Sequence, residues 1–297
     1  MKISSNLTLN LKKISISDKD WFSKLTYHVG ISDLSFPLLY AYRNFLNVKC
    51  AHLDEKTALV AQDDAHGKRC YTILGDVNET IIKELTFLGI NEFSYVIAAQ
   101  LPIFKNIKGM KWNIRYDIDF SDYVYDLNKF LDFRGNLRKA YNSYKNHNQL
   151  NTKIVEINKN NWEESYKIFR NWWNSRKESS IFGNELKVFC EMEKFIESSK
   201  IEGALFYEEE IPVSFLMVEK RGEMLIEHFI KSNSSARGLT HFFYHQFFSK
   251  FKGEVKWINF EEDMGLPGLR EFKRRFHPEF MLNKYTVRLD KGEYVKH

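Results

Sequence analysis

The feature that most restricts the fold is the order in which the hydrophobic period switches between 2 and 3.6 residues. Alternation marks a half-buried strand, and recurrence at i, i+3, i+4 and i+7 marks an amphipathic helix. From residue 14 the sequence reads as a short strand, a helix after Asp18, and a helix around Pro37 to Phe45. Three strand-like runs follow, VKCAHL, ALVAQD and RCYTIL, broken by turn residues near Asp54-Glu55 and Asp63 to Lys68. A helix from Glu79 to Phe87, the strand FSYVIAA, a short helix after Pro102 and the strand KWNIRYD complete this half.

The second half has the same order. The strand TKIVEI precedes helices from about Trp162 to Arg176 and from about Glu185 to Ser198. Then come the strands IEGALFYE, PVSFLMVEK and EMLIEHFIK, the helix LTHFFYHQFFSKF, the strand KWINF, the helix LREFKRRF and a closing run to Val287. Residue identity between the halves is too weak for a sequence repeat, but the order predicts two copies of one topology. The expected class is α/β (α+β), each lobe a mixed, mainly antiparallel sheet flanked by helices. The expected division is an N-terminal lobe over 1–120, a connecting strand and basic helix over 121–150, and a C-terminal lobe over 151–297.

At 297 residues, 43% apolar and 28% charged, the sequence is that of a soluble globular protein, long enough for one domain or two lobes. Its net charge of +5 is compatible with an anionic partner. Cys50, Cys70 and Cys190 are widely spaced and form no C-x-x-C pair, which reads as reduced thiols. There is no signal-peptide core and no run of ~18 apolar residues, so a cytoplasmic protein with no transmembrane segment is expected.

Chemistry concentrates between Trp257 and Val287. The strand KWINF delivers Glu261, Glu262 and Asp263 at its end. Pro267 suits the first turn of a helix, because its missing N–H would be unpaired there. Leu269, Phe272 and Phe276 then form an apolar face, and Arg270, Lys273 and Arg274 a cationic one. The plain account is a helix cap followed by a solvated basic face. The chemical account makes Glu261 and Asp263 the candidates for proton transfer and Arg270 and Lys273 the stabilisers of an oxyanion, since neighbouring carboxylates repel and raise a pKa.

Further candidates lie elsewhere. A helix from about Arg134 to Asn146 carries Leu137, Ala140, Tyr141 and Tyr144 on one stripe, with Arg134, Arg138, Lys139 and Lys145 off it. With Arg274, these cations could meet phosphates. Glu227 and His228 are a secondary base pair within a strand. His241 and His245, at i and i+4, lack an evident third ligand, so no metal is expected. The aromatic residues Trp162, Phe169, Trp172 and Trp173 read as core packing.

The run N-x-E-E-D-x-G-L-x-G-L-R-x-x-K with a later Pro and Lys-Tyr comprises Asn259, Glu261, Glu262, Asp263, Gly265, Leu266, Gly268, Leu269, Arg270, Lys273, Pro278, Lys284 and Tyr285. It resembles the signature of the phosphatidylglycerol lysyltransferase C-terminal domain family. Ser32, Phe36, Leu38, Tyr40 and Arg43 are similar to that family's N-terminal pattern, as is the Tyr-Asp-Leu strand before the basic helix. Phe260 stands where the family commonly has Arg, a departure that bears on donor or acceptor choice. The resemblance spans about Ile14 to Val287 and implies tandem GNAT-like folds.

It also implies an aminoacyl-tRNA donor, an amine or hydroxyl acceptor (lipid or small molecule), peripheral membrane contact at most, and no required cofactor. An activated ester needs only a positioned nucleophile and a proton acceptor. An acyl-CoA donor is the alternative. In GNAT enzymes a loop R/Q-x-x-G-x-G/A cradles the coenzyme A pyrophosphate at a helix N-terminus. The corresponding stretch here holds Ser235, Arg237, Gly238 and Thr240, and only the glycine is typical. A non-catalytic pair of lobes binding RNA or an anionic membrane is the third reading.

Overall fold

Helix starts follow local chemistry. In the first half, strand β1 (Lys12–Lys13) precedes α1 (Lys19–Thr26) and α2 (Phe36–Tyr42), then β2 (Lys49–His52), β3 (Thr57–Asp63), β4 (Arg69–Gly75), α3 (Glu79–Phe87), β5 (Glu92–Ile97), α4 (Leu101–Asn106) and β6 (Trp112–Tyr116). Ser35 caps α2, its side chain accepting from the Leu38 N–H, and Pro37 sits in the first turn. Asn78 caps α3 in the same way through the Ile81 N–H. In this computed structural model the described residues are 9–26, 29–64, 66–148, 152–175, 184–196, 201–234 and 236–290.

The second half runs through β7 (Asp122–Asp126), α5 (Leu127–Leu131), α6 (Gly135–Asn148), β8 (Thr152–Glu156), α7 (Trp162–Ser175), α8 (Glu185–Met192), β9 (Ile201–Glu208), β10 (Ile211–Arg221), β11 (Met224–Ser232), α9 (Leu239–Phe248), β12 (Trp257–Asn259), α10 (Pro267–Arg275), β13 (Phe280–Leu282) and β14 (Lys284–Leu289). Helix α5 and strand β13 are too short to show a period and were not expected. The expected ends at Arg176 and Ser198 lie outside the described residues.

The chain divides into two units, and not in sequence order. The first comprises Met1–Val29, Asp33–Ser121 and Leu282–His297; the second comprises Gly30–Ser32 and Asp122–Met281. In the first, β1-β2-β3-β4 form one antiparallel sheet and β5-β14-β6 another. In the second, one seven-stranded sheet runs β13-β7-β12-β11-β10-β9-β8. Successive strands correspond, β1 to β6 against β8 to β13, and in each case the strand that ends one half of the sequence is inserted into the other unit's sheet. β7 pairs with β12, and β14 lies between β5 and β6. The lobe boundaries at 120 and 150 therefore need correction: β14 belongs with the first unit, and β7 and α6 belong with the second.

Each unit has its own core. In the first, Leu59, Ile82, Leu85, Phe93 and Val287 are fully buried, so β14 fills that core with a residue from the far end of the sequence. The second is aromatic: Tyr125, Phe130, Tyr244, Phe248, Phe260 and Phe276 pack together. Phe260 lies 4.7 Å from Tyr125 and 5.1 Å from Tyr244, centroid to centroid. It is 2% exposed and serves this core. Trp162 stacks on Phe189 at 4.4 Å and Phe169 is fully buried, as core packing requires.

Candidate active site

All the expected carboxylates of the acidic turn sit in the second unit, at the end of β12. Parallel β11 and antiparallel β7 flank that strand and hold it in the centre of the sheet. The turn after it is strained: Glu261 has φ 59° and Met264 φ 52°, left-handed values that non-glycine residues adopt at a cost of roughly 1 kcal/mol or more. Asn259 supports this shape. Its Oδ1 accepts from the Glu261 N–H at 2.6 Å, and its Nδ2 donates to Asp122 at 2.9 Å and to the Gly30 carbonyl at 2.8 Å.

Asp263 and Glu261 have different surroundings. Asp263 is completely buried, and Arg270 grips it with Nε at 2.7 Å and a terminal guanidinium nitrogen at 2.8 Å. Tyr123 Oη donates to it at 2.5 Å and the Gly265 N–H at 2.8 Å. Burial favours the neutral acid, but Arg270, Tyr123 and Gly265 outweigh it and hold the carboxyl below its ordinary range. Such a carboxylate is a poor proton acceptor, and the structure gives Asp263 the place of an anchor for α10.

Glu261 keeps its side chain 24% exposed. Burial raises its pKa, while the hydrogen bond from His228 works against the rise. Its Oε1 lies 2.8 Å from His228 Nδ1. Thus His228, thought of as one half of a separate Glu-His pair, adjoins Glu261. Its neighbour Glu227 points elsewhere: Oε1 accepts from Tyr244 Oη at 3.0 Å, and Oε2 is buried without a hydrogen-bond partner among the described residues. Burial pushes the Glu227 carboxyl up to about 8.

The cationic face of α10 is not uniform. Lys273 is buried and donates to the Glu262 carbonyl. Burial lowers its pKa against the pull of Glu262, Glu261, Glu227 and Asp122. Arg270 is committed to Asp263. Arg274 is exposed, and with Pro267, Arg270, Glu271 and Arg275 it lines an open depression on the outer side of the helix. On α6, Arg138, Lys139 and Lys145 are exposed, whereas Arg134 pairs with Asp132 at 2.5 Å.

The region expected for an acyl-CoA loop lies against α6. Gly238 caps α9 with φ 90°, and a Cβ there would lie 1.9 Å from the Ala140 carbonyl oxygen. Helix α6 therefore packs closely against the N-terminus of α9 at Gly238, the end that a pyrophosphate would approach. Arg237 and Thr240 flank this contact, and Ser235 lies outside the described residues. His241 and His245 sit among rings, His241 stacking on Phe276 at 5.4 Å and His245 4.9 Å from Tyr141. Burial lowers both pKa values.

Residues 83–288 match the family described as phosphatidylglycerol lysyltransferase, C-terminal. The chain belongs to that family. As a member of the lysyltransferase family it is an aminoacyl or acyl transferase. Solved structures share its fold. A conserved protein of unknown function from Bacteroides thetaiotaomicron superposes with TM-score 0.85 at 20% identity, covering 95% of this chain and 100% of that one. The C-terminal domain of a putative lysylphosphatidylglycerol synthetase from Agrobacterium fabrum gives 0.63 at 11%, covering 93% and 92%. The structure of L-PGS from Bacillus licheniformis gives 0.60 at 12%, covering 88% and 93%. No curated protein matches the sequence. Among the described residues, no helix is long and apolar enough to cross a membrane.

Two functional features were missed by sequence reasoning. One is the pairing of His228 with Glu261, 33 residues apart. The other is Tyr123, which lies two residues before the tyrosine of the Tyr-Asp-Leu run and donates to Asp263. Only the order of strands in the sheet joins these positions.

Proposed function

We propose that the chain transfers an aminoacyl group from aminoacyl-tRNA to an amine or hydroxyl acceptor, a lipid or a small molecule, with Glu261 as proton acceptor. The nucleophile's proton passes to Glu261 as its nitrogen or oxygen bonds to the ester carbon. The ester C–O bond then breaks, and the tRNA ribose oxygen leaves as a hydroxyl by taking the proton held on Glu261, which returns to its carboxylate form. Lys273, facing Glu261, supplies positive charge for the developing oxyanion. Arg270 serves indirectly, since its guanidinium is bound to Asp263.

The observation that favours this donor is the close approach of the Ala140 carbonyl to Gly238, which sets α6 against the helix end that a coenzyme A pyrophosphate would approach. An aminoacyl ester brings its own activation and needs no cofactor and no pyrophosphate cradle. The exposed Arg138, Lys139 and Lys145 of α6 and Arg274 of α10 supply phosphate contacts, which makes donor affinity fall steeply with salt.

The test incubates purified protein with radiolabelled mixed aminoacyl-tRNAs or with acetyl-CoA. Binding and label loss are scored in the presence of cell extract. Retention or deacylation of aminoacyl-tRNA, without coenzyme A binding, is expected. Saturable coenzyme A binding alone would overturn the choice of donor.

A further inference from the structure

The contacts behind Glu261 continue into the sheet and fix a proton count. The His228 side chain is fully buried, and both its ring nitrogens face carboxylates. Nδ1 lies 2.8 Å from Oε1 of Glu261, and Nε2 lies 3.2 Å from Oε2 of Glu219. A neutral imidazole has one N–H and would set its other lone pair against a carboxylate oxygen. The ring satisfies both neighbours only as an imidazolium.

Beyond the ring the signs continue to alternate. Arg221, 6% exposed, donates to Oε2 of Glu219 at 2.9 Å and to the Ile31 carbonyl at 3.1 Å. Glu261, His228, Glu219 and Arg221 thus form a row of negative, positive, negative and positive groups. The backbone makes room for it: Met217 opposes Phe229 and Val218 opposes Glu227, so His228 is the extra residue of a β-bulge on β11. Bulges re-aim side chains in this way and recur beside active sites. At the other end of the row, Glu261 is held in its left-handed conformation. Its Oε2 has no hydrogen-bond partner among the described residues.

We propose that His228 is a positioning residue for the transfer reaction: as an imidazolium clamped between Glu219 and Glu261, it holds Oε1 of Glu261 and leaves Oε2 for the acceptor's proton. This rests on the reading of Glu261 as proton acceptor. The charged groups facing the pair are Glu219 and Arg221 from β10, Glu262 from the turn and Lys273 from α10, and the titratable Glu227 of β11 lies nearby with its carboxyl turned to Tyr244. Burial works against the charged ring, but the hydrogen bonds to Glu219 and Glu261 outweigh it and carry its pKa up to about 9.

Two measurements test the clamp, and the first needs no transfer activity. In protein labelled with ¹⁵N-histidine, both His228 nitrogens, assigned by their loss in His228→Gln, should show imidazolium shifts at pH 7 and 8. A neutral tautomer at pH 7 overturns the proposal, whatever the donor proves to be. If His228→Gln does not fold, Glu219→Gln replaces it. Loss of that anion should lower the pH at which the ring deprotonates by about one unit or more, and an unmoved titration counts against the clamp.

The second measurement is the pH profile of transfer by His228→Gln. The imidazolium favours ionised Glu261, so its removal should move the acid limb upward by about one pH unit or more. Activity lost at neutral pH should then return at higher pH. A plateau that falls while the limb stays in place, or an unchanged profile, overturns the positioning role. If the wild-type chain transfers nothing from either donor, the proton-acceptor reading fails separately while the ¹⁵N result still decides the clamp.

Discussion

Glu227 carries a cost in the folded state that a single atom exchange should relieve. Its Oε2 is buried without a partner among the described residues, Tyr244 donates to Oε1, and burial pushes the carboxyl up to about 8 from an ordinary 4.5. A carboxyl raised by folding contributes stability that is complete below its unfolded pKa and is lost as pH rises toward the folded one. At pH 7 the unfolded chain ionises this group and the folded chain does not. With about 1.4 kcal/mol for each pH unit between 4.5 and 7, the cost is on the order of 3 kcal/mol.

Glu227→Gln keeps the shape and cannot ionise. The variant should therefore match wild type near pH 4.5, gain stability with rising pH, and level off above about 8. Urea denaturation at a series of pH values measures it. Trp162, Trp172, Trp173 and Trp257 report on the second unit by fluorescence. A difference from wild type that does not vary with pH, or a loss of stability throughout, would refute the argument.

Gly238→Ala should cost roughly 3 kcal/mol by denaturant unfolding, because the new Cβ would meet the Ala140 carbonyl at 1.9 Å in a left-handed backbone. An unchanged midpoint would mean that α6 yields easily and the N-terminus of α9 can open. Asp263→Asn removes a buried, bidentate anion and should cost about 3 kcal/mol at neutral pH. Since folding lowers the Asp263 pKa, its contribution is present above the ordinary carboxylate value and lost as pH falls through the folded one. The gap between variant and wild type should thus close toward pH 3, which parallel acid melts would measure.

Much of the architecture was legible because period and caps are local. Helix α3 begins at Glu79 and α10 begins at Pro267, where the sequence placed them. The Asn-Glu-Glu-Asp run and its following helix were also legible as a unit, since they adjoin in sequence. The roles within the run were not. Asp263 and Glu261 look alike as letters, yet one faces Arg270 and Tyr123 in a closed site and the other faces His228 at a partly open one.

What the sequence determined by itself was therefore the set of elements, the family and the place where carboxylates gather. Tertiary structure decided their partners. It put β7 beside β12, which brings Tyr123 to Asp263, and β11 beside β12, which brings His228 to Glu261. It turned Lys273 from an exposed row into a buried site and set α6 against the N-terminus of α9. Hydrophobic period reports which face of an element is buried, but the charge state and reach of a polar side chain depend on neighbours that distant segments bring to it.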